Sequence, residues 1–119
     1  MTTYLRPLLV YDGDCAFCRR WIVRWRRVTG ERVDYAPYQE AAPRFPAVPL
    51  ERFKSAVQLI EPDGRVSQAA EAALRSLAYA PGWGWLFWLY EHVGAFRAAS
   101  EWGYRVVARN RGALSRLGN

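Results

Sequence analysis

The sequence predicts an α/β fold with a helical C-terminal extension. Three observations carry that expectation. A short apolar run, Leu8-Leu9-Val10-Tyr11, gives way to a longer segment of helical periodicity. Pro62-Asp63-Gly64 is a tight-turn signal between two short strand-like runs, the pattern of a hairpin. From Trp83 to Leu117 the spacing is helical, with breaks near Gly94 and Gly112.

Leu8 to Tyr11 reads as a short buried strand. Cys15 to about Thr29 reads as a helix whose apolar face is Phe17, Trp21, Trp25 and Val28, with Trp21 and Trp25 in the core. Gly30 supplies its C-cap. Val33 to Tyr38 is the second strand, made irregular at its end by Pro37. Gln39 to Phe45 is a short helical turn limited by Pro43 and Pro46, and a loop runs on to Pro49. Phe53 to Ile60 reads as the third strand and Arg65 to Ser67 as the fourth. Ser67 then caps a helix that reaches Ala80, with Ala70, Ala73, Leu74 and Leu77 on one face. Pro81-Gly82 breaks the chain. The order β-α-β-α-β-β-α is that of a minimal thioredoxin-like core. The expected organisation is one domain over 1–119, a core over 1–80 with a helical cap over 81–119 packed on it.

A chain of 119 residues is the size of one domain, and its 51% hydrophobic content is enough to build a core. Met1 to Pro7 lacks the positive start and long apolar centre of a signal peptide. No stretch approaches the ~20 apolar residues that cross a bilayer. The nearest, Trp83 to Ala99, is interrupted by Glu91, His92 and Arg97. The expectation is a cytoplasmic protein with no transmembrane segment. The net charge of +6 is carried by arginine, and Lys54 is the sole lysine. Because the arginines are spread from Arg6 to Arg116, they read as a solvated face, and no nucleic-acid partner is expected.

The only two cysteines are Cys15 and Cys18, set after a strand and at a helix start. In a reducing compartment such a pair is catalytic or metal-binding rather than a permanent crosslink. Disulfide exchange needs a thiolate, and a helix N-terminus favours one through its partial positive charge and unpaired N–H groups. Cys15 is therefore the candidate nucleophile and Cys18, one turn on and more buried, the resolving thiol. Arg19 and Arg20 add positive potential. Asp12 and Asp14 oppose it, and serve as turn and cap residues or as proton carriers.

Two rivals use the same segment. A structural zinc needs four ligands, and beyond the cysteines the chain offers only His92, so two copies would have to share the ion. An apolar strand ending in Asp12-Gly13-Asp14 also opens the haloacid dehalogenase phosphatase fold, with one aspartate as nucleophile and the next as acid around magnesium. That chemistry asks for a further lysine and a later acidic pair. Lys54 is available, but the last aspartate, Asp63, lies in a turn.

The run Tyr11-Asp12-Gly13-Asp14-Cys15-Ala16-Phe17-Cys18 closely resembles the opening of the DCC family of thiol–disulfide oxidoreductases, an apolar strand followed by Asp-Gly-x-Cys-x-x-Cys and a helix. The resemblance continues through Pro62-Asp63-Gly64-Arg65-Val66 and Ala69-Ala70-Glu71-Ala72. It ends at Tyr104-Arg105-Val106-Val107-Ala108-Arg109-Asn110-Arg111. It implies a thioredoxin-like fold, a redox role for Cys15 and Cys18, and kinship with small soluble bacterial proteins.

Arg111 is a supporting candidate, able to reach an anionic group or carboxylate at the edge of the site; otherwise Asn110 and Arg111 are a helix cap and a solvated cation. His92 reads as structural or solvent-facing. Trp83, Trp85, Phe87, Trp88 and Tyr90 are either the inward side of the cap or a docking or membrane-surface patch. The expected function is thiol–disulfide exchange on a disulfide or thiol substrate, protein or small molecule. No bound cofactor is implied, and electrons come from a thiol donor or a reductase. The alternative is a non-enzymatic binding module with a basic, tryptophan-rich surface.

Overall fold

A computed structural model of the chain describes residues 6–116. Met1 to Leu5 of the N-terminal segment and Leu117 at the end of the extension lie outside the described residues. The chain runs through β1 (Leu8–Tyr11), α1 (Ala16–Thr29), β2 (Asp34–Pro37), α2 (Tyr38–Ala41), α3 (Leu50–Ser55), β3 (Gln58–Ile60) and β4 (Val66–Gln68). It continues through α4 (Ala69–Ala78), α5 (Gly84–His92), α6 (Gly94–Arg109) and α7 (Arg111–Arg116). Short 3₁₀ turns at Gly30–Arg32 and Ala42–Arg44 follow α1 and α2. The core is the mixed α/β, thioredoxin-like fold that the element order implies.

The four strands form one sheet in the order β2-β1-β3-β4. β1 runs parallel to β2, with Leu9 opposite Tyr35. It runs antiparallel to β3, with Leu9 opposite Leu59. β3 and β4 form the antiparallel hairpin, turned by Gly64 at a φ of 91°, a backbone that glycine adopts without cost. A parallel pair needs a crossover, and α1 supplies it.

Alternation along the strands sends side chains to two faces. Leu8, Val10 and Ile60 pack with Ala41, Val48 and Phe53 beneath α2 and α3. Leu9 and Leu59 pack with Ile22, Val33, Val57 and Ala72 beneath α1 and α4. Both central strands are covered on both sides, so their sequences are apolar without alternation.

Helix α1 ends at Gly30, whose positive φ of 59° is a backbone that glycine adopts readily. Its most buried residues are Ile22 and Thr29 rather than the expected Phe17–Val28 stripe. Trp21 and Trp25 stack on each other with centroids 3.8 Å apart and pack half-buried against the core. The indole N–H of Trp25 donates to Ser76 Oγ at 2.8 Å, which keeps that ring at the α1–α4 boundary.

Two expectations are corrected and a third is sharpened. The third strand does not span Phe53 to Ile60: Leu50–Ser55 is helical, and only Gln58–Ile60 is strand. Pro49 sets an extended N-cap; Phe53 packs into one core cluster from α3, and Val57 packs into the other from the link before β3. Gln58, the first residue of β3, is fully buried, its amide donating to the carbonyls of Arg52 and Ala56. Ser67 is not the cap of α4. Paired opposite Leu59, it points into the sheet face, where its hydroxyl is buried without a hydrogen-bond partner. The chain instead enters α4 through Ala69 at a φ of 58°, held by its N–H to Val57 O. That conformation costs a non-glycine residue about 1–2 kcal/mol. The last break, expected near Gly112, falls two residues before it at Asn110.

Helices α5 and α6 pack on α4, and α7 packs on α1. Within the aromatic run only Phe87 and Tyr90 turn inward, with Tyr90 OH donating to Glu101. Trp83, Trp85 and Trp88 are exposed, so this run is not the inward face of the cap. α5 is apolar nearly all round, and its pattern selects no face. His92 is solvent-facing and stacks on Trp88. No described helix is long and apolar enough to cross a membrane.

Replacing Leu59, which is fully buried, by alanine should lower unfolding stability by about 2–5 kcal/mol. Trp85→Ser, at a side chain 59% exposed, should change it by no more than about 0.5 kcal/mol. Urea titration of the two variants checks both.

Candidate active site

The chain leaves the sheet at Tyr11 and turns over four residues before α1 begins. Asp12 holds this turn: its Oδ1 accepts the N–H of Asp14 at 2.9 Å, and its carbonyl accepts that of Cys15 at 3.3 Å. Gln39, just past β2, clamps the same turn from the side. Its Oε1 accepts the Gly13 N–H at 3.1 Å, and its Nε2 donates to Asp12 Oδ1 at 3.0 Å. Position 13 must be glycine here, because a Cβ would lie 2.7 Å from Pro37 Cβ. Arg19 lies on this turn and not at the sulfurs; it donates to Gly13 O at 2.6 Å.

The turn delivers Cys15, not Asp14, to the N-cap of α1. Cys15 has an extended backbone, and its sulfur accepts the Cys18 N–H at 3.2 Å. That is the place where serine or aspartate normally takes up an orphan N–H. The first N–H groups of a helix carry partial positive charge, so a negative sulfur is favoured there. Asp14 is exposed beside it.

Cys18 lies one turn on and half-buried, and both cysteines are free thiols. Burial pushes the Cys18 thiol up to about 12; its hydrogen bond with Cys15 acts in the same direction, and Arg111 acts against it. Arg111 is the first residue of α7. Its NH1 reaches Cys18 Sγ at 3.5 Å and lies 3.9 Å from Asp12 Oδ2, while NH2 donates to Lys54 O at 3.0 Å. One guanidinium thus joins the turn after β1, the first turn of α1 and the end of α3. Cys15, Cys18, Asp12 and Arg111 come together, whereas Asp14 and Arg19 stay at the rim.

Three further residues complete the surroundings. Tyr104 of α6 packs into the core, and its hydroxyl accepts the Val57 N–H at 2.9 Å. Burial raises its phenol above the ordinary range. Ser115 of α7 accepts the Phe17 N–H at 3.1 Å and lies 3.9 Å from Cys15 Sγ. Gln39 is the third. Nothing local in the sequence marks Gln39 or Ser115, and Tyr104 is marked only as the first residue of the family-like C-terminal segment; their partners are 26 to 100 residues away.

A pocket of about 100 Å³ opens against Cys18. Phe17, Trp21, Val57, Tyr104 and Val107 give it apolar walls, and Asp12 and Arg111 mark one end. Among the described residues, no three His, Cys, Asp or Glu side chains gather where they could hold a metal ion. The mixed sheet, with β3 antiparallel, is not the doubly wound sheet of the phosphatase rival, and Asp12 faces Arg111.

A sequence model of the DCC1-like thiol-disulfide oxidoreductase family matches residues 9–117. No curated protein and no solved structure matches the chain. The matched span runs from β1 through α7 and takes in both cysteines, Asp12 and Arg111. The chain belongs to the DCC1-like thiol-disulfide oxidoreductase family.

Proposed function

We propose that the protein catalyses thiol–disulfide exchange, with Cys15 as nucleophile and Cys18 as resolving thiol. The observation that carries this is the asymmetry of the pair. Cys15 caps a helix and receives an N–H on its sulfur, while burial keeps Cys18 protonated. The Cys15 thiolate attacks one sulfur of a substrate disulfide, whose S–S bond breaks. The other sulfur leaves as a thiolate and takes a proton. Cys18 then loses its proton and attacks Cys15 Sγ, forming the Cys15–Cys18 bond and releasing the second substrate thiol. Two electrons pass to the substrate, and a thiol donor or a reductase restores the dithiol.

Asp12 and Arg111 are assigned to the second step. Arg111 favours negative charge on Cys18, and Asp12, beside it on the pocket wall, accepts the proton. Arg19 holds the turn, and Asp14 lends negative charge at the rim. The helices over 81–119 belong to the same domain as the core over 1–80 in this proposal, because α6 and α7 supply Tyr104 and Arg111. The protein acts in the cytoplasm, where a lone Cys-x-x-Cys works as a redox couple. The second reading, a binding module, draws on the exposed Trp85, Trp88 and Trp102; salt-sensitive binding indifferent to the cysteines would favour it.

In glutathione buffers, alkylation and mass spectrometry should reveal a single two-electron transition between Cys15 and Cys18; thiols that never pair would refute the mechanism. Cys15→Ser should abolish exchange, whereas Cys18→Ser should accumulate mixed disulfides on Cys15, both read by mass spectrometry. Burial, the largest cause of the raised Cys18 pKa, persists when Cys15 is tied up in the mixed disulfide, so the ionised fraction of Cys18 climbs about tenfold per pH unit through neutrality. The resolution step should keep accelerating beyond pH 9, where an ordinary thiol near ~8.5 levels off, as stopped-flow release of the second thiol would record. Arg111→Met should slow that step by about tenfold, equivalent to ~1.4 kcal/mol for a charge-assisted contact.

A further inference from the structure

Helix α7 is tied to the first turns of α1 at several points. Phe17 N–H donates to Ser115 Oγ at 3.1 Å, Arg20 NH2 donates to Leu114 O at 2.7 Å, and Arg111 NH1 reaches Cys18 Sγ at 3.5 Å. Ser115 is therefore held at its own hydroxyl and through Leu114 and Arg111 before it, with the hydroxyl at the start of α1.

A hydroxyl has one proton to give and two lone pairs to receive with. The Phe17 N–H occupies a lone pair of Ser115, which leaves the proton to be donated elsewhere. Cys15 Sγ lies 3.9 Å from that oxygen, within the longer reach of a hydrogen bond to sulfur. We infer that Ser115 donates its hydroxyl proton in a hydrogen bond to Cys15 Sγ and, with the Cys18 N–H, holds that sulfur as the attacking thiolate. The inference rests on Cys15 being the nucleophile. It makes the C-terminal helix part of the reacting centre, 100 residues away in sequence.

The consequence is a direction for the reduction potential. A donor aimed at Cys15 stabilises its thiolate more than the neutral sulfur of a disulfide, so it favours the reduced pair. Stabilising the reduced form makes a couple more oxidising. Removing the hydroxyl must move the couple the other way. Arg111 acts on the same side of the equilibrium through Cys18, but at the other sulfur.

The test compares wild type, Ser115→Ala and Ser115→Thr in glutathione titrations. In Ser115→Ala the equilibrium should shift about threefold to tenfold toward the Cys15–Cys18 disulfide; tenfold corresponds to a midpoint ~30 mV more negative. Ser115→Thr, which keeps the hydroxyl, should stay with wild type. Should Ser115→Ala loosen α7, Ser115→Thr against Ser115→Val, matched in shape, makes the same comparison. A role limited to receiving the Phe17 N–H would lower the melting temperature of both redox forms and leave the midpoint unmoved, and that result overturns the inference. If wild type itself forms no Cys15–Cys18 disulfide, the exchange mechanism fails first. If wild type titrates and all variants share its midpoint, only the role of Ser115 falls.

Discussion

The rest of the structure depends on the parallel pairing of β1 with β2. Two parallel neighbours cannot be joined by a tight turn, so the chain must cross over the sheet, and α1 is that crossover. The crossover obliges α1 to begin immediately beyond the end of β1. The exposed N–H groups of its first turn and the residues of a short turn are therefore forced together. Cys15 falls at that junction and serves as the cap. The same pairing brings Pro37 and Gln39, at the end of β2, alongside the turn, where they leave no room for a side chain at position 13. Strand pairing thus builds the reactive end of the helix.

The second determinant is where the helices after the core return. α6 and α7 lay Tyr104, Arg111 and Ser115 against β3 and the start of α1. These contacts place polar groups in a half-buried setting, which is stable only when each finds a partner. Arg111 meets that demand with a carbonyl, a carboxylate and a sulfur. One charge thus ties the end of α3 to the first turn of α1 and lies beside the Cys18 thiol.

The exposed tryptophans lie on other helices than the cysteines. Trp85 and Trp88 lie on α5 and Trp102 on α6, whereas the cysteines lie at the start of α1. α5 is held to the core by α4, with the Arg75 guanidinium over the ring of Phe87 and paired with Glu61 and Glu71. That arrangement fixes which aromatic residues turn inward without involving α1.

Much of the fold was legible because it is written locally. The apolar run of β1, the Gly30 cap, the Pro62-Asp63-Gly64 turn, the irregular end of β2 at Pro37 and the placement of both cysteines at a helix start follow from periodicity and turn chemistry within a few residues. Tertiary packing decided the rest. Phe53 begins no strand, because Pro49 starts a helix that brings the ring to the core from another direction. Ser67 caps no helix, because its register opposite Leu59 turns it inward. α5 shows solvent a face its composition could not choose. Arg111 carried a hint in sequence, but its pairing with Cys18, 93 residues earlier, is set by how α7 packs on α1. Ser115 carried none, since a serine near the end of a chain has no local feature to distinguish it. The sequence alone determined which atoms can react, because that depends on residue type and a helix start. Only the tertiary structure decided what surrounds them, because those contacts join segments that no local pattern relates.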